Sequence, residues 1–323
     1  MPMILIVLIN FSKIIMNNSL ISIIIPTYNG SKNIKRALTS VLNQTYPNIE
    51  IIVVDDASTD NTIEVVNSIK DKRIKLLRHT TNRNGSAARN TGIRASKGEY
   101  IAFLDDDDEW LPEKLSRQLE YLESKNPKEW KAAVCGHTME KSGKVREVFA
   151  TKEGNLTKEI LMMQISMGLG STLLIQKSAT EEVGLFDEKY LRHQDLEFTL
   201  RYLRRYKLAA VRECLVKIHG HSGNPSGARM LTTKKMFLKD FEQDIEQFDK
   251  KTVKQIYARQ WLQVSKHFAL DGDIKNTFKY YFKSLSFAFL FSIYTKILPL
   301  ENYFTIPYYL LVTLIFGKQK SKR

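Results

Sequence analysis

GEYIAFLDDDD, residues 98–108, joins a short apolar run to four consecutive aspartates. Residues 100–104 have the length and composition of a buried strand, and the carboxylates follow it directly. Two like charges about 4 Å apart repel by about 4 kcal/mol at an effective dielectric constant near 20. Such crowding favours a bound Mg²⁺ or Mn²⁺, which uses one or two carboxylates and leaves its other positions to water and phosphates. The alternative is a solvated acidic turn ahead of a helix that starts near Pro112.

Short apolar runs alternate with helical patterns on the amino-terminal side of this stretch. The alternation is typical of βαβ units around a parallel sheet that is buried on both faces. Pro26 is expected to stop the first strand. The sequence therefore predicts an α/β fold with strands at residues 21–25, 49–54, 74–77 and 100–104, and helices at residues 33–42, from 60 or 61 onward, and 86–95.

Polar side chains follow three of the predicted strands. Thr27 and Tyr28 come after the first, Asp56 after the second, and residues 105–108 after the fourth. In open α/β sheets, ligands bind outside the carboxyl ends of the strands, here called the carboxyl edge. An aromatic ring stacks on a base, a carboxylate accepts hydrogen bonds from a base or ribose, and a metal ion bridges phosphates. The carboxyl edge is thus predicted to bind a nucleoside diphosphate.

Composition narrows the class of protein. The 323 residues are 43% hydrophobic and 26% charged, with a net charge of +14, as expected for a basic globular protein of one large domain plus an appendage, or of two domains. Only Cys135 and Cys214 occur, so no disulfide framework is expected and a reducing cytoplasm fits. A P-loop is absent, and no G-x-G-x-x-G follows the first strand, which excludes P-loop NTPases and dinucleotide-binding enzymes.

Four motifs occur in a characteristic order: IIIPTYN at residues 23–29, IVVDDASTD at 52–60, GSAARNTG at 85–92, and GEYIAFLDDDD with WLP at 98–112. As a set, across about residues 22–218, they resemble family 2 glycosyltransferases. The resemblance implies the GT-A fold, a Rossmann-like nucleotide-diphospho-sugar transferase fold with a mixed sheet flanked by helices. It also implies a nucleotide-sugar donor, a divalent metal and inversion at the anomeric carbon.

The resemblance assigns the nucleoside pocket to residues near the first two strands. Thr27 and Tyr28, with Pro26 before them, would line the pocket, and Asp56 would hydrogen-bond the base. Arg89 would reach the diphosphate from its helix. Alternatives remain for three of these residues: an anchoring role for Tyr28, helix capping for Asp56 and an ion pair for Arg89.

The acidic run matches the D-x-D element of the family at Asp105 and Asp107. Asp107 is the expected metal ligand, whereas Asp105 and Asp106 are expected to contact the donor, with Asp106 facing the ribose. His219 and His221 match a closing loop of the family in which a histidine approaches the donor phosphates or the metal. Of the two, His219 is the preferred candidate. A structural histidine is the alternative.

An inverting transfer requires a base within hydrogen-bond reach of the acceptor hydroxyl. RHQDLEF, residues 192–198, is similar to the E-D-x-x-L-type element of the family, and Asp195 matches its base. The chain departs from that element at Gln194, which leaves Glu197 as a rival. The simpler alternative for Asp195 is that it caps the helix that follows.

The sequence predicts three regions: an apolar extension at residues 1–19 with an alternative start at Met16, a catalytic domain at 20–225, and a helical C-terminal region at 226–323. The uncharged stretches 284–295 and 302–317 are shorter than the roughly 20 residues that span a bilayer. Aromatic residues beside lysines and the basic end at 318–323 favour peripheral membrane contact. The alternative is a helical appendage packed on the catalytic domain or on another subunit.

Together these features predict a metal-dependent, inverting glycosyltransferase at the cytoplasmic face of the membrane. Its donor would be a UDP-sugar or a related nucleotide sugar, and its acceptor a glycan or lipid-linked saccharide of a bacterial-type surface polysaccharide. No nucleic-acid partner is expected. The alternatives are a nucleotidyltransferase, which would normally have a glycine-rich and basic triphosphate loop near the first strand, and a non-catalytic scaffold of polysaccharide assembly.

Overall fold

The computed structural model describes residues 18–141, 143–165, 168–219 and 226–288. The apolar extension through residue 17 and the tail from residue 289 onward lie outside these ranges, as does His221. The chain divides into two compact units. The first comprises Met1–Asn155, Met167–Lys189 and Phe198–Gly220, and the second comprises Leu156–Ser166, Tyr190–Glu197 and His221–Arg323. Two segments that precede the sequence-based boundary near residue 225 belong to the second unit, namely Leu156–Ser166 and Tyr190–Glu197.

A nine-stranded mixed sheet with the order β3-β2-β1-β4-β8-β6-β9-β5, and with β7 paired to β6, forms the centre of the first unit. Strands β1, β2, β3 and β4 are parallel to one another, while β8 pairs antiparallel with both β4 and β6. The mixed sheet flanked by helices confirms the predicted fold class. The strands are β1 Ile21–Thr27, β2 Ile49–Asp55, β3 Ile74–Arg78, β4 Tyr100–Phe103, β5 Glu109–Trp110, β6 Trp130–Lys141, β7 Lys144–Val148, β8 Leu174–Gln176 and β9 Lys207–His219.

Helices accompany the sheet and make up most of the second unit. In the described ranges they are α1 Ile34–Leu42, α2 Thr62–Ser68, α3 Gly85–Ala95, α4 Lys114–Glu123, α5 Thr157–Leu161, α6 Leu169–Thr172, α7 Lys177–Val183, α8 Gln194–Leu203, α9 Gly227–Asp240, α10 Glu242–Glu246, α11 Lys250–Leu270 and α12 Ile274–Ala288. Helix α8 begins in the second unit and ends in the first.

The core of the first unit follows from the continuous apolar runs of its parallel strands. All seven residues of β1 are buried, as expected for a strand covered on both faces. Burying one isoleucine side chain contributes roughly 1.5–3 kcal/mol relative to leaving it exposed. Helix α3 lies close to β1 because Gly92 faces Ile24, where a Cβ atom would collide with the isoleucine side chain. This contact places α3, and with it Arg89, beside the carboxyl edge.

The prediction that Pro26 stops the first strand is wrong. Strand β1 continues to Thr27, and Pro26 lies in register with Val54 of β2. On its other side, β1 pairs with β4 only as far as Ile24, in register with Phe103. The backbone of Pro26 faces the same neighbour as that of Ile24, two residues earlier, and that neighbour is β4. Because the pairing with β4 ends at Ile24, the N–H that a proline lacks is not needed there.

In the second unit, α11 and α12 pack along each other. The ring of Tyr280 stacks on Trp261 and Phe268, with centroids 5.7 and 5.5 Å apart, and Ser284 Oγ donates to the carbonyl of Ala258 at 2.7 Å. Asp249 caps α11 by accepting hydrogen bonds from two backbone N–H groups of its first turn. None of the helices in the described ranges is long and apolar enough to cross a membrane.

Candidate active site

The carboxyl edge brings together residues that are far apart in the sequence. Thr27 Oγ1 donates a hydrogen bond to Asp106 Oδ2, and the backbone N–H of Asp56 donates to the carbonyl of Thr27 at 2.8 Å. Tyr28, the next residue after β1, is 50% exposed. A ring in that position is available to stack on a base, and the stacking itself stays a prediction.

Gly30 is a site residue that sequence reasoning missed. A Cβ atom at this position would collide with Asp106 and with Thr27 Oγ1, so only glycine fits beneath the acidic loop. Its N–H donates to Thr62 Oγ1 at 2.9 Å, and the N–H of Asn29 donates to Ser58 Oγ at 2.8 Å. The loops after β1 and β2 are therefore tied to each other. A glycine three residues after the end of β1 was the available signal.

Asp56 is almost fully buried and receives three hydrogen bonds. His79 Nδ1 donates at 2.7 Å, and the backbone N–H groups of Arg83 and Asn84 donate at 2.9 and 2.8 Å. The carboxylate thus holds the loop after β3, and the helix cap of α3 is supplied by Asn84. Contact between Asp56 and a base stays a prediction, and the sequence contained no signal for the part played by His79.

Arg89 forms an ion pair with Asp105. Its guanidinium is buried and lies 5.9 Å from the centroid of the Phe186 ring. This is the ion-paired alternative that the sequence left open, and it balances the charge of the first aspartate in the run. Contact between Arg89 and a diphosphate stays a prediction.

The surroundings of residues 105–108 reduce the repulsion among the four aspartates more than the sequence suggests. Asp108 is buried, and its carboxylate accepts hydrogen bonds from Ser171 Oγ at 2.5 Å and from the backbone N–H of His219 at 3.2 Å. Burial, followed by the neighbouring charge of Asp105, raises the pKa of Asp108 to about 7. Near neutral pH the four aspartates therefore do not carry four full negative charges.

The residue pair Gly170 and Ser171 supports the acidic run from α6. Ser171 Oγ accepts from the N–H of Asp105 at 3.1 Å, and the carbonyl of Ser171 accepts from Trp110 Nε1 at 2.8 Å. A Cβ atom on Gly170 would lie 2.5 Å from Asp105 Oδ2. The G-L-G sequence at residues 168–170 was the only signal for this support.

Asp107 and His219 are the predicted metal ligands. The guanidinium of Arg36 donates to the backbone carbonyl of Asp107, which anchors the loop. His219 Nε2 is buried without a hydrogen bond to any residue in the described ranges, and Glu109 Oε2 lies 3.7 Å away. The Asp107 carboxylate suits either Mn²⁺ or Mg²⁺, and an imidazole nitrogen without a hydrogen bond suits a transition-metal ion such as Mn²⁺, so the residues fit a divalent ion of that kind.

Across the described residues, no group of three or more His, Cys, Asp or Glu side chains is arranged to hold a metal ion. Magnesium sites of nucleotide-dependent enzymes commonly use one or two protein carboxylates and draw their other ligands from water and substrate phosphates. Asp107 and His219 therefore remain the predicted ligands.

The predicted base lies at the beginning of a helix, as expected. Asp195 and Glu197 are in the first turn of α8, in the part of the chain that belongs to the second unit. Glu197 is buried, whereas Asp195 is partly exposed. His193, just before the helix, has a left-handed φ of 60°. Exposure favours Asp195 over Glu197 as the group that reaches a substrate.

Comparison with known proteins places this geometry in a family. The family model "Glycosyl transferase family 2" matches residues 22–184, half of the chain. The chain is 46% identical over 105 residues to the Escherichia coli UDP-Glc:alpha-D-GlcNAc-diphosphoundecaprenol beta-1,3-glucosyltransferase WfaP, a match that covers 32% of this chain and 42% of that protein.

Two solved structures share the fold. Staphylococcus aureus TarS, in complex with UDP-GlcNAc, aligns with a TM-score of 0.62 at 20% identity and covers 83% of this chain and 80% of the TarS chain. The Pyrobaculum calidifontis mannosyltransferase PcManGT, in complex with GDP-Man and Mn²⁺, aligns with a TM-score of 0.56 at 17% identity, covering 92% and 88%. The likeness shows the GT-A fold, and with the family match it means that this chain belongs to glycosyltransferase family 2.

Proposed function

We propose that this protein is a metal-dependent, inverting glycosyltransferase that moves a sugar from a UDP-sugar to a lipid-linked or glycan acceptor during surface polysaccharide assembly. The observation that carries the proposal is the carboxyl edge, where Thr27 is bonded to Asp106 beside the acidic loop. The match to WfaP, whose name gives a UDP-Glc donor and a lipid-linked acceptor, supports this choice of substrates.

The donor would bind along the carboxyl edge of the first unit. Tyr28 would stack on the base, Thr27 and Pro26 would line the nucleoside pocket, and Asp56 would accept a hydrogen bond while also holding the loop after β3. Asp107 and His219 would hold a divalent ion, for which the Mn²⁺ bound to PcManGT is a parallel. When bound, such an ion stabilises negative charge on a departing diphosphate.

Asp195 would act as the general base. The acceptor oxygen attacks the anomeric carbon from the face opposite the nucleotide, the bond from that carbon to the diphosphate oxygen breaks, and configuration inverts. The hydroxyl proton passes to the Asp195 carboxylate, and the nucleoside diphosphate leaves with the bonding electron pair. Base catalysis of this kind contributes about 10²- to 10⁴-fold to the rate.

A panel of nucleotide sugars tests the assignment. The protein is incubated with Mn²⁺, a synthetic GlcNAc-diphospholipid and each of UDP-Glc, UDP-GlcNAc, UDP-Gal and GDP-Man, and release of nucleoside diphosphate is measured together with the glycolipid product. We expect transfer from a UDP-sugar. Pyrophosphate release from a nucleoside triphosphate would instead support a nucleotidyltransferase, and inactivity with every donor would favour a scaffold.

Peripheral contact with the cytoplasmic face of the membrane belongs to the same proposal, because a lipid-linked acceptor lies at the bilayer. Helix α12 supports it with an exposed stripe of Ile274, Phe278 and Phe282 at four-residue spacing, of which the two rings are 41% and 61% exposed. Lys275 and Lys279 are exposed next to the stripe. An apolar stripe beside lysines is typical of helices that lie in the headgroup region of anionic bilayers.

The double substitution Phe278→Gln/Phe282→Gln is expected to reduce binding to phosphatidylglycerol-containing vesicles at least about five-fold, because it removes two apolar rings from the bilayer contact. Co-sedimentation with vesicles measures this. The matched control is Val145→Gln/Phe149→Gln, which changes two similarly exposed apolar residues on and just beyond β7. Equal vesicle binding by both variants and the wild type would exclude α12 as the contact.

A further inference from the structure

The ionised carboxylate of Asp56 has about four acceptor positions, two on each oxygen. The hydrogen bonds from His79 Nδ1 and from the backbone N–H of Arg83, at 2.7 and 2.9 Å, both end on Oδ1. The N–H of Asn84 occupies one position on Oδ2 at 2.8 Å. Oδ1 is therefore filled, and the contacts among the described residues leave one position open, on Oδ2.

Asp56 is otherwise almost closed off by the protein. It directly follows β2 at the carboxyl edge, and its backbone N–H is bonded to the carbonyl of Thr27 at the end of β1. Only 3% of the residue is exposed. The protein thus supplies three partners of this carboxylate, and a ligand can supply one.

His79 is the partner of Asp56 that donates from a side chain, and it is itself held in place. Its backbone N–H donates to the carbonyl of Asp55 at 2.8 Å, and its ring atom Nε2 lies 2.9 Å from Thr91 Oγ1 on α3. Because an ionised carboxylate only accepts hydrogen bonds, Nδ1 carries the hydrogen toward Asp56. In the neutral ring, Nε2 then accepts a hydrogen bond from the Thr91 hydroxyl. The imidazole therefore joins the Asp56 carboxylate to α3.

The loop after β3 is fixed on its other side as well. The Arg83 guanidinium pairs with the Glu188 carboxylate at 3.1 Å, and Asn84 Nδ2 donates to the carbonyl of Glu188 at 3.0 Å. Asn84 has a left-handed φ of 82°, and Ala57, next to Asp56, has one of 66°. A non-glycine residue keeps such a backbone only where its surroundings impose it. The N–H groups that point at Asp56 are therefore fixed, and so is the carboxylate that accepts from them.

A carboxylate with one open position distinguishes bases by their number of adjacent N–H donors. The pairing edge of uracil presents a single N–H group, at N3, between two carbonyl oxygens. The pairing edge of guanine presents two neighbouring donors, N1–H and the 2-amino group, which together need both oxygens of a carboxylate. At Asp56 the second donor would face an oxygen that His79 and Arg83 already fill, so it would lose its water without gaining a partner. The open position thus suits a base with one donor.

We propose that His79, supported by Thr91, is a specificity-determining residue for the donor: it fixes the Asp56 carboxylate so that one acceptor position is left, which takes the N3–H of uracil and rejects guanine. The proposal rests on the proposed function, in which Asp56 contacts the base. His79 acts through Asp56 and not on the substrate, so it is a positioning residue. Its role gives a physical reason for a uridine nucleotide as the donor.

Calorimetric binding of four nucleoside diphosphates in the presence of Mn²⁺ tests the proposal without turnover. 3-Methyl-UDP lacks the single N–H of uracil, and inosine diphosphate differs from GDP only in lacking the 2-amino group. The wild-type protein is expected to bind UDP at least about ten-fold more tightly than 3-methyl-UDP, and inosine diphosphate at least about five-fold more tightly than GDP in competition against UDP. Equal affinity for UDP and 3-methyl-UDP, or binding of GDP as tight as that of inosine diphosphate, would overturn the proposal.

Variants of His79 separate positioning from a merely structural role. In His79→Leu the carboxylate is free to turn, and the preference for UDP over 3-methyl-UDP is expected to fall to within about two-fold. His79→Asn, whose amide nitrogen lies near the place of Nδ1, should restore most of the preference. His137→Leu is the matched control, because His137 is another buried histidine of the first unit and its ring makes no hydrogen bond within the described residues. A preference that persists in His79→Leu, or that His79→Asn does not restore, would refute the role of His79.

Thr91→Val provides a milder test, since it keeps the shape of the side chain and removes only the hydroxyl that supports the ring. The preference for UDP over 3-methyl-UDP is expected to fall at least about two-fold in this variant, and the measurement takes the place of His79→Leu if that protein does not fold. An unchanged preference in Thr91→Val would refute the supporting role of Thr91.

Failure of this inference can be told apart from failure of the proposed function. If the protein transfers a sugar from a UDP-sugar but binds UDP and 3-methyl-UDP equally, only the roles of Asp56 and His79 are refuted. If it neither binds UDP nor transfers a sugar from any donor, the proposed function is refuted and the inference with it. Binding in the predicted order without transfer would refute the enzyme assignment and support the selection of the base.

Discussion

Asp195→Asn is expected to lower kcat by about 10²- to 10⁴-fold while leaving the affinity for the nucleotide sugar within about two-fold. The amide has nearly the same size and shape as the carboxylate but cannot take a proton from the acceptor hydroxyl. Donor binding would occur at the carboxyl edge of the first unit, whereas Asp195 belongs to the second. Calorimetric titration with donor and a product assay with acceptor measure the two quantities separately.

Glu197→Gln is the control for this substitution because Glu197 lies two residues after Asp195, in the same first turn of α8. Glu197 is buried, so the neutral variant should change kcat by less than about ten-fold. The reverse pattern, with turnover lost in Glu197→Gln and kept in Asp195→Asn, would move the base to Glu197.

Asp107→Asn is expected to weaken Mn²⁺-dependent donor binding by about 10- to 100-fold, because an amide is a poor substitute for a carboxylate ligand of a hard divalent ion. Adding EDTA to the wild-type protein should weaken donor binding to a similar extent, and it should have little further effect on the variant. Titration of UDP into each protein with and without Mn²⁺ measures this directly and does not depend on turnover.

Asp71→Asn controls for the loss of one negative charge. Asp71 pairs with Arg73 ahead of β3, and its substitution should leave Mn²⁺-dependent binding of UDP unchanged. The same dependence on Mn²⁺ in Asp107→Asn and in the wild type would place the ion on other residues. Parallel loss of binding in Asp195→Asn and Asp107→Asn would contradict the division between a base and a metal ligand.

Local sequence was sufficient to locate the parallel strands of the first unit. Each of β1, β2, β3 and β4 ends within two residues of its predicted end, because a continuous apolar run bounded by polar residues reports burial on both faces wherever it occurs. The carboxyl edge followed from the same runs, since parallel strands must place their carboxyl ends together. The error at Pro26 arose because a proline is tolerated once the strand on one side has ended, and strand length on a neighbour is not visible locally.

The partners of the charged residues could not be predicted in the same way. Arg89 and Asp105 are 16 residues apart in the sequence, and their ion pair was one of two alternatives, since the motif suggested a diphosphate contact equally well. His79 and Asp56, and Gly30 beneath Asp106, meet only because four separate loops converge at one edge. Residue types at these positions are compatible with many partners, and the choice among them depends on distances that the chain path sets.

By itself the sequence determined the α/β class, the edge at which polar residues gather, and the family to which the motifs belong, because these depend on periodicity and on the order of residues along the chain. Only the tertiary structure decided that Asp108 is a buried carboxylate with a raised pKa, and which glycine must lack a side chain. Those properties depend on burial and on neighbouring groups that folding brings close. Such groups act over a few ångströms in space, however far apart the residues are in the sequence.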